Sequence, residues 1–393
     1  MKSKASLITL LFIVFFDLVG IGIVMPILPI IFLDLTSQAY LLGFLLASYP
    51  LAQFFGAPLL GTLSDKYGRK KILLISLAGS AVGYVLFAIG LMIQNIPLLF
   101  FSRIVDGFTG GNISVVRSAI ADVSDIKDKV KNFGLIGMAF GFGFIIGPVL
   151  GGILTDNTLV SWFNITTPFW TAAILVTLNM FFVALLFKET LKQRLQIKLS
   201  LLTGFRQIQK AIKLPHLKVL LISIFLFHFG WSFFTQFFPV FLAEKLQFTM
   251  ADVGKFFGFI GICIAVVQGI IIRPVSDRFK PRTLIIFSLF LSTVVLLLHI
   301  PLKSATMLYF ITPLLALGIG FAHPNFSTLV SNAASAKEQG EVLGIQQSMM
   351  SLAQALPALI AGFAITISVS FPLILASITV GATAIFFTWA YKE

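Results

Sequence analysis

The sequence predicts an all-α membrane protein with twelve transmembrane helices in two pseudo-symmetric six-helix bundles. Three observations predict it. The chain of 393 residues is 58% hydrophobic and only 11% charged, against about 25% charged in a soluble globular domain. It divides into about twelve apolar runs, each near the ~20 residues that cross a bilayer as a helix. A charged turn between the second and third runs, residues 61–71 (Gly-Thr-Leu-Ser-Asp-Lys-Tyr-Gly-Arg-Lys-Lys), has a worn copy at residues 273–282 (Arg-Pro-Val-Ser-Asp-Arg-Phe-Lys-Pro-Arg). Ser64-Asp65 matches Ser276-Asp277. A period near 210 residues is too long for a solenoid and fits a duplicated bundle.

The runs are 6–33, 40–63, 71–93, 97–120, 132–155, 167–187, 217–243, 252–274, 283–301, 304–331, 341–366 and 370–391. All are expected to be helices, because lipid offers backbone groups no hydrogen-bond partners. The first begins after Lys2 and Lys4 and continues through Met25-Pro26 with no small-residue cleavage site, so it reads as a retained span rather than a signal peptide. The second and third flank the charged turn. The fourth carries most of the buried charge, and the fifth is rich in glycine. The sixth closes the first half, and the remaining six repeat the order.

Between the halves lies the one long loop. The domains are therefore read as 1–187, a cytoplasmic linker over 188–216, and 217–393. Within the linker, Leu201, Leu202, Phe205, Ile208 and Ile212 alternate with Arg206, Lys210 and Lys213. That pattern fits either a basic amphipathic helix on the inner leaflet or a plain linker. With the N-terminus inside, 23 of the 28 Lys and Arg fall on the cytoplasmic side and three on the outer side, which puts both termini in the cytoplasm. The same bias explains the net charge of +13, and no aromatic-basic segment points to nucleic acid. The single cysteine, Cys263, permits no internal disulfide.

Ionisable groups inside spans are costly and usually functional. Away from span ends these are Asp17, Arg103, Asp106, Arg117, His228 and His323. They fall on runs 1, 4, 7 and 10, the first helix of each group of three, as expected if one helix per triplet lines a cavity. On run 4, Arg103, Asp106, Gly110, Ser114 and Arg117 form one stripe of a single straight helix, and Asn112 faces the other way, towards packing. Arg103 and Asp106 can partly neutralise each other at i,i+3, and Asp17 is expected to pair with Arg103, either in a static ion pair or as a carboxylate that exchanges a proton. Asp106 can share it. Polar faces on other runs supply candidate substrate contacts: Tyr49 and Gln53 on run 2; His228, Trp231 and Thr235 on run 7; His323 and Phe326 on run 10; Gln347 and Gln354 on run 11. Arg117 joins them at the cytoplasmic mouth. The four histidines are scattered, and no metal-ligand or catalytic motif of an enzyme is present.

At these residues the chain resembles the major facilitator superfamily, and within it the twelve-helix drug:proton antiporter branch that includes the tetracycline efflux proteins. Gly61, Asp65, Gly68 and Arg69 match the superfamily's loop 2–3 signature. The resemblance implies that Asp65 and Arg69, with Asp122 at the end of helix 4, form a charge latch drawing on helices of both halves. Gly143, Gly147, Pro148, Gly151 and Gly152 resemble the helix 5 antiporter motif. Gly83-Tyr84, Ala265 and Leu291 stand where tetracycline exporters carry polar groups, which argues against tetracycline as substrate.

The implied function is proton-coupled secondary transport by alternating access, exporting small amphipathic compounds in exchange for protons. The alternative is a proton-coupled carrier of an organic anion or siderophore-like metabolite. The resemblance further implies no cofactor, a proton gradient as energy source, a bacterial cytoplasmic (inner) membrane setting and a monomer, with the lipid bilayer and a small molecule as partners.

Overall fold

The structure, a computed structural model, describes residues 2–36, 38–123, 129–191, 206, 209, 215–333 and 339–392. The described residues form helices and turns with no strand. The amphipathic pattern across 201–213 lies outside them apart from Arg206 and Gln209. The first half contains α1 Lys2–Val24, α2 Leu28–Leu35, α3 Ala39–Tyr67, α4 Arg69–Met92, α5 Ile96–Thr109, α6 Asn112–Val123, α7 Lys129–Leu154 and α8 Thr167–Leu186. The second contains α9 Pro215–Leu246, α10 Met250–Val266, α11 Ile272–Ser276, α12 Pro281–His299, α13 Ala305–Ala333, α14 Gln339–Ala364 and α15 Phe371–Ala390. Nine stretches of described helix are long and apolar enough to cross a bilayer.

Three of the predicted runs are not single α-helices. The first breaks at residues 25–27, where Pro26 has no N–H to continue the ladder. The eighth passes from α10 through a π-helical turn, Val267–Ile271, into α11. The fourth breaks at Gly110-Gly111 into α5 and α6, so its five-residue stripe does not run along one straight helix. Two successive glycines impose no helical preference of their own. At the other end of α5 the start is specified locally. Asn95 accepts the Leu98 N–H at 2.9 Å and Pro97 follows in the first turn, the usual N-terminal chemistry.

Side chains stitch the central break. Gln53 Nε2 donates to the Gly110 carbonyl at 3.0 Å. Ser76 donates to the Thr109 carbonyl. Ser114 Oγ donates to the carbonyls of Gly111 and Ala57 at 2.7 and 3.1 Å. Carbonyls released from the helical ladder are thus satisfied without water, as an apolar surrounding requires.

The chain forms two compact units. The first comprises Met1–Ile31, Ser48–Gly204 and Met250–Gly258; the second comprises Phe32–Ala47, Phe205–Thr249 and Phe259–Glu393. In the first, α1 packs on α7 and α8, and α4 packs on α5 and α8. In the second, α9 packs on α14 and α15, and α12 packs on α13 and α15. Counted by run, each half pairs its first with its fifth and sixth and its third with its fourth and sixth. The repeat read from one charged turn therefore extends to the packing. Leu185, Ile270, Phe310 and Trp389 point outward, an apolar exterior suited to lipid rather than water.

Candidate functional site

The loop 2–3 signature assembles as an ion-pair cluster around Arg69, whose side chain is buried. Its Nη1 lies 2.6 Å from Asp65 Oδ1 and 2.6 Å from Ser64 Oγ, and its Nε lies 3.0 Å from Asp122 Oδ2. Asp65 sits one helical turn before Arg69 across the α3–α4 corner, which Gly68 turns at φ 108, a region open to glycine and strained for other residues. Gly61 borders Ser114 without crowding, since a Cβ there would lie 3.7 Å from the Ser114 Oγ, an ordinary contact. These partners all belong to the first unit. Among the described residues the cluster therefore draws on one half, where the resemblance implied both.

A second charged cluster lies near the α5–α6 break, where α4 packs on α5 and α6 and α1 packs on α6. Asp17 and Asp106 are 6% and 3% exposed. Arg103 Nη1 is 3.2 Å from Asp106 Oδ2, and its guanidinium covers the Tyr49 ring at 4.4 Å, a cation–π contact. The ion pair of Arg103 is thus with Asp106, three residues on along its own helix as the spacing allowed, and not with Asp17, the other partner the sequence offered. Asp17 has the Asn112 side chain and the charge of Asp106 as its polar neighbours. Asn112 was expected to face packing; the break between α5 and α6 changes which side chains share a face, and it turns to the carboxylate. The Ser80 hydroxyl on α4 is a polar neighbour of Asp106. Gly83 makes space for it, since a Cβ there would lie 2.6 Å from Asp106 Cβ. Gln53, 3.5 Å from the Tyr49 hydroxyl, borders the same cluster. Arg117 is half-buried on α6.

The helix 5 motif works through close approach. A Cβ on Gly147 would lie 2.6 Å from Gly22 Cα, and one on Gly143 2.7 Å from Leu18 Cβ. Gly151 meets the Ile23 carbonyl, and a Cβ on Gly152 would lie 3.0 Å from Ala251 Cα. Pro148 lies inside α7 and lines the Gly22 contact. The motif thus holds α7 against α1 on one side and the start of α10 on the other.

In the second unit, His228 and His323 face each other with ring centroids 5.6 Å apart and planes at 85°. His323 is exposed in the middle of α13. Phe326 is 2% exposed and packs between Phe227 and Phe387, so it belongs to the aromatic core of this unit. Trp231 packs against Phe234 with ring centroids 4.8 Å apart and planes tilted by 34°, and the Thr235 hydroxyl bonds back to the Trp231 carbonyl at 3.3 Å. Gln347 and Gln354 are half-buried on α14. The Gln354 carbonyl accepts from Gln236 Nε2 at 3.0 Å. Gln236 was missed in the sequence because its partner lies 118 residues away. No group of three metal-ligating side chains occurs among the described residues.

The Major Facilitator Superfamily family model matches residues 10–358 and 270–392. The chain is 31% identical over 356 residues to the class C tetracycline resistance protein of Escherichia coli, covering 90% of this chain and 87% of that one. It is 29% identical over 394 residues to Multidrug resistance protein 1 of Bacillus subtilis, covering 100% and 97%. Among solved structures, the human organic anion transporter MFSD10 shares the fold with a TM-score of 0.76 at 21% identity, covering 98% of this chain and 99% of that one. A chain matched along nearly its whole length, all-helical, apolar outside and carrying the superfamily's charged turn as an assembled cluster, is a transporter rather than an enzyme, and it belongs to the major facilitator superfamily.

Proposed function

We propose that this transporter exports small amphipathic compounds in exchange for protons by alternating access. The observation that carries the reading is the buried cluster of Asp17, Asp106 and Arg103. Two carboxylates and one guanidinium sum to one negative charge, and uptake of one proton makes the cluster neutral. A net charge is expensive where water is excluded, so binding and release of that proton bias the protein between its states. The Asp65–Arg69–Asp122 cluster is the latch whose opening accompanies the change. The exporter direction is supported by the glycine motif on α7 and by the drug resistance relatives. The protein works as a monomer in the cytoplasmic membrane with both termini inside. The proton gradient drives it and no cofactor takes part.

The second reading is a proton-coupled carrier of organic anions, and Arg117 with the His228–His323 pair favours it. Against it, Arg103 is already engaged by Asp106 and Tyr49, which leaves one fewer cation for a substrate. The test is proton movement in proteoliposomes with an imposed pH gradient and an internal pH dye, adding cationic amphipaths and organic anions in turn. Proton release with cationic or neutral amphipaths supports export; movement with organic anions alone replaces it with the second reading.

A further inference from the structure

Glu189 lies just past the end of α8, in the first residues of the segment that joins the halves. Its carboxylate reaches back to the start of α4 and accepts the N–H groups of Arg69 at 2.9 Å through Oε1 and of Lys70 at 3.1 Å through Oε2. The start of α4 has no side-chain cap of its own, because Gly68 precedes it. Glu189 supplies that cap from 120 residues away, and a carboxylate suits the positive end of a helix. Gly68 is fixed twice over: its φ of 108 strains any side chain, and a Cβ there would lie 2.5 Å from Glu189 Oε2.

Three further hydrogen bonds carry this geometry into the ion-pair cluster. Glu189 Oε1 accepts the N–H groups of Thr190 and Leu191 at 3.0 Å each, which folds the segment onto itself. Thr190 Oγ1 then donates at 3.2 Å to Asp122 Oδ2, the same oxygen that accepts from Arg69 Nε. One residue thus fixes the backbone of Arg69, and the next holds the carboxylate its side chain pairs with.

We propose that Glu189 and Thr190 are positioning residues of the latch: the first turn of the inter-half segment is a strap that sets Arg69 against Asp65 and Asp122, so displacement of that segment loosens the latch. This rests on the reading of the Asp65–Arg69–Asp122 cluster as the latch. A residue that merely capped α4 would stabilise the helix without coupling to Asp122.

The experiment follows hydrogen exchange at the Arg69 and Lys70 amides in the full chain in lipid nanodiscs. Glu189→Ala should speed exchange at both by about tenfold or more, the scale of a charge-assisted hydrogen bond, and Glu189→Gln should do so less. Unchanged protection across 72–92 shows that the variant is folded. No change at Arg69 and Lys70 overturns the strap. Positioning is separated from capping by double-mutant cycles of Glu189→Gln and Thr190→Val with Asp122→Asn, read as ethidium transport by purified protein in proteoliposomes. The expected result is a loss in maximal rate with KM kept, and a double variant no slower than Asp122→Asn alone. Effects that multiply overturn the proposal and leave Glu189 as a cap. If the wild type does not move ethidium, the exporter reading fails on that probe. The cycles are then read as thermal midpoints, where additive shifts overturn the strap and non-additive shifts support it.

Discussion

Lys70 and Arg282 perform the same task in the two halves. Lys70 Nζ donates to the Ala184 carbonyl at 2.7 Å, in the last turn of α8. Arg282 donates through Nη2 to the Thr388 carbonyl at 3.1 Å and through Nε to the Tyr391 carbonyl at 3.0 Å, at the end of α15. Each residue opens the third run of its half and caps the sixth, where unpaired carbonyls and the helix dipole favour a cation. The second charged turn has Lys280 and Pro281 where the first has Gly68 and Arg69, yet it has kept this cap.

Arg282→Gln should therefore lower stability by about 1–2 kcal/mol, the loss of two hydrogen bonds from a charged donor offset by partial solvation. Lys70→Gln, with one bond, should cost less. Thermal midpoints of the purified variants check the order; equal costs would contradict it.

Asp17→Asn should abolish substrate-driven proton movement while leaving substrate binding measurable. Asn112→Leu removes the polar neighbour of Asp17 and should weaken coupling without abolishing it. Both are read with the internal pH dye. Reversing the imposed pH gradient should reverse the direction of substrate movement in the wild type and leave the Asp17→Asn protein unresponsive.

Gly147→Val should fail to pack α7 on α1, because its Cβ would begin 2.6 Å from Gly22 Cα. Overpacking of this kind costs about 1–3 kcal/mol, and transport should fall with it. Gly141→Ala is the control: nothing lies within 4 Å of its Cβ position, so stability and transport should hold. Fluorescence-detected gel filtration after a heat step compares the two.

Gln53→Leu leaves the Gly110 carbonyl without its donor from α3. An unsatisfied buried carbonyl costs roughly 1–3 kcal/mol, and the loss should appear as faster hydrogen exchange around the α5–α6 break. Wild-type exchange there would show that the break is held by the remaining contacts alone.

Much of this was legible in the chain. Asp65, Arg69 and Asp122 were placed together through the resemblance, and they meet in the structure. The Arg103–Asp106 pair was foreseeable from i,i+3 spacing on one helix. Glu189 left only an indirect signal: Gly68 stands where α4 needs a capping side chain, so some other residue had to supply it. Ser80, Gly83 and Gln236 left none, because their partners lie on other helices at no fixed spacing.

By itself the sequence determined an all-helical, lipid-facing chain with a repeat inside it. Hydropathy and charge bias act locally, and lipid forces every run to satisfy its own backbone. Only the tertiary structure decided which buried charges touch. Asp17 meets Asn112 rather than Arg103 because run 4 breaks at Gly110-Gly111, and because glycine contacts set where α1 sits against its neighbours. Periodicity fixes which residues share a face of one helix; it does not fix the register or the distance between two helices, and those choose the partners of every charge in this protein.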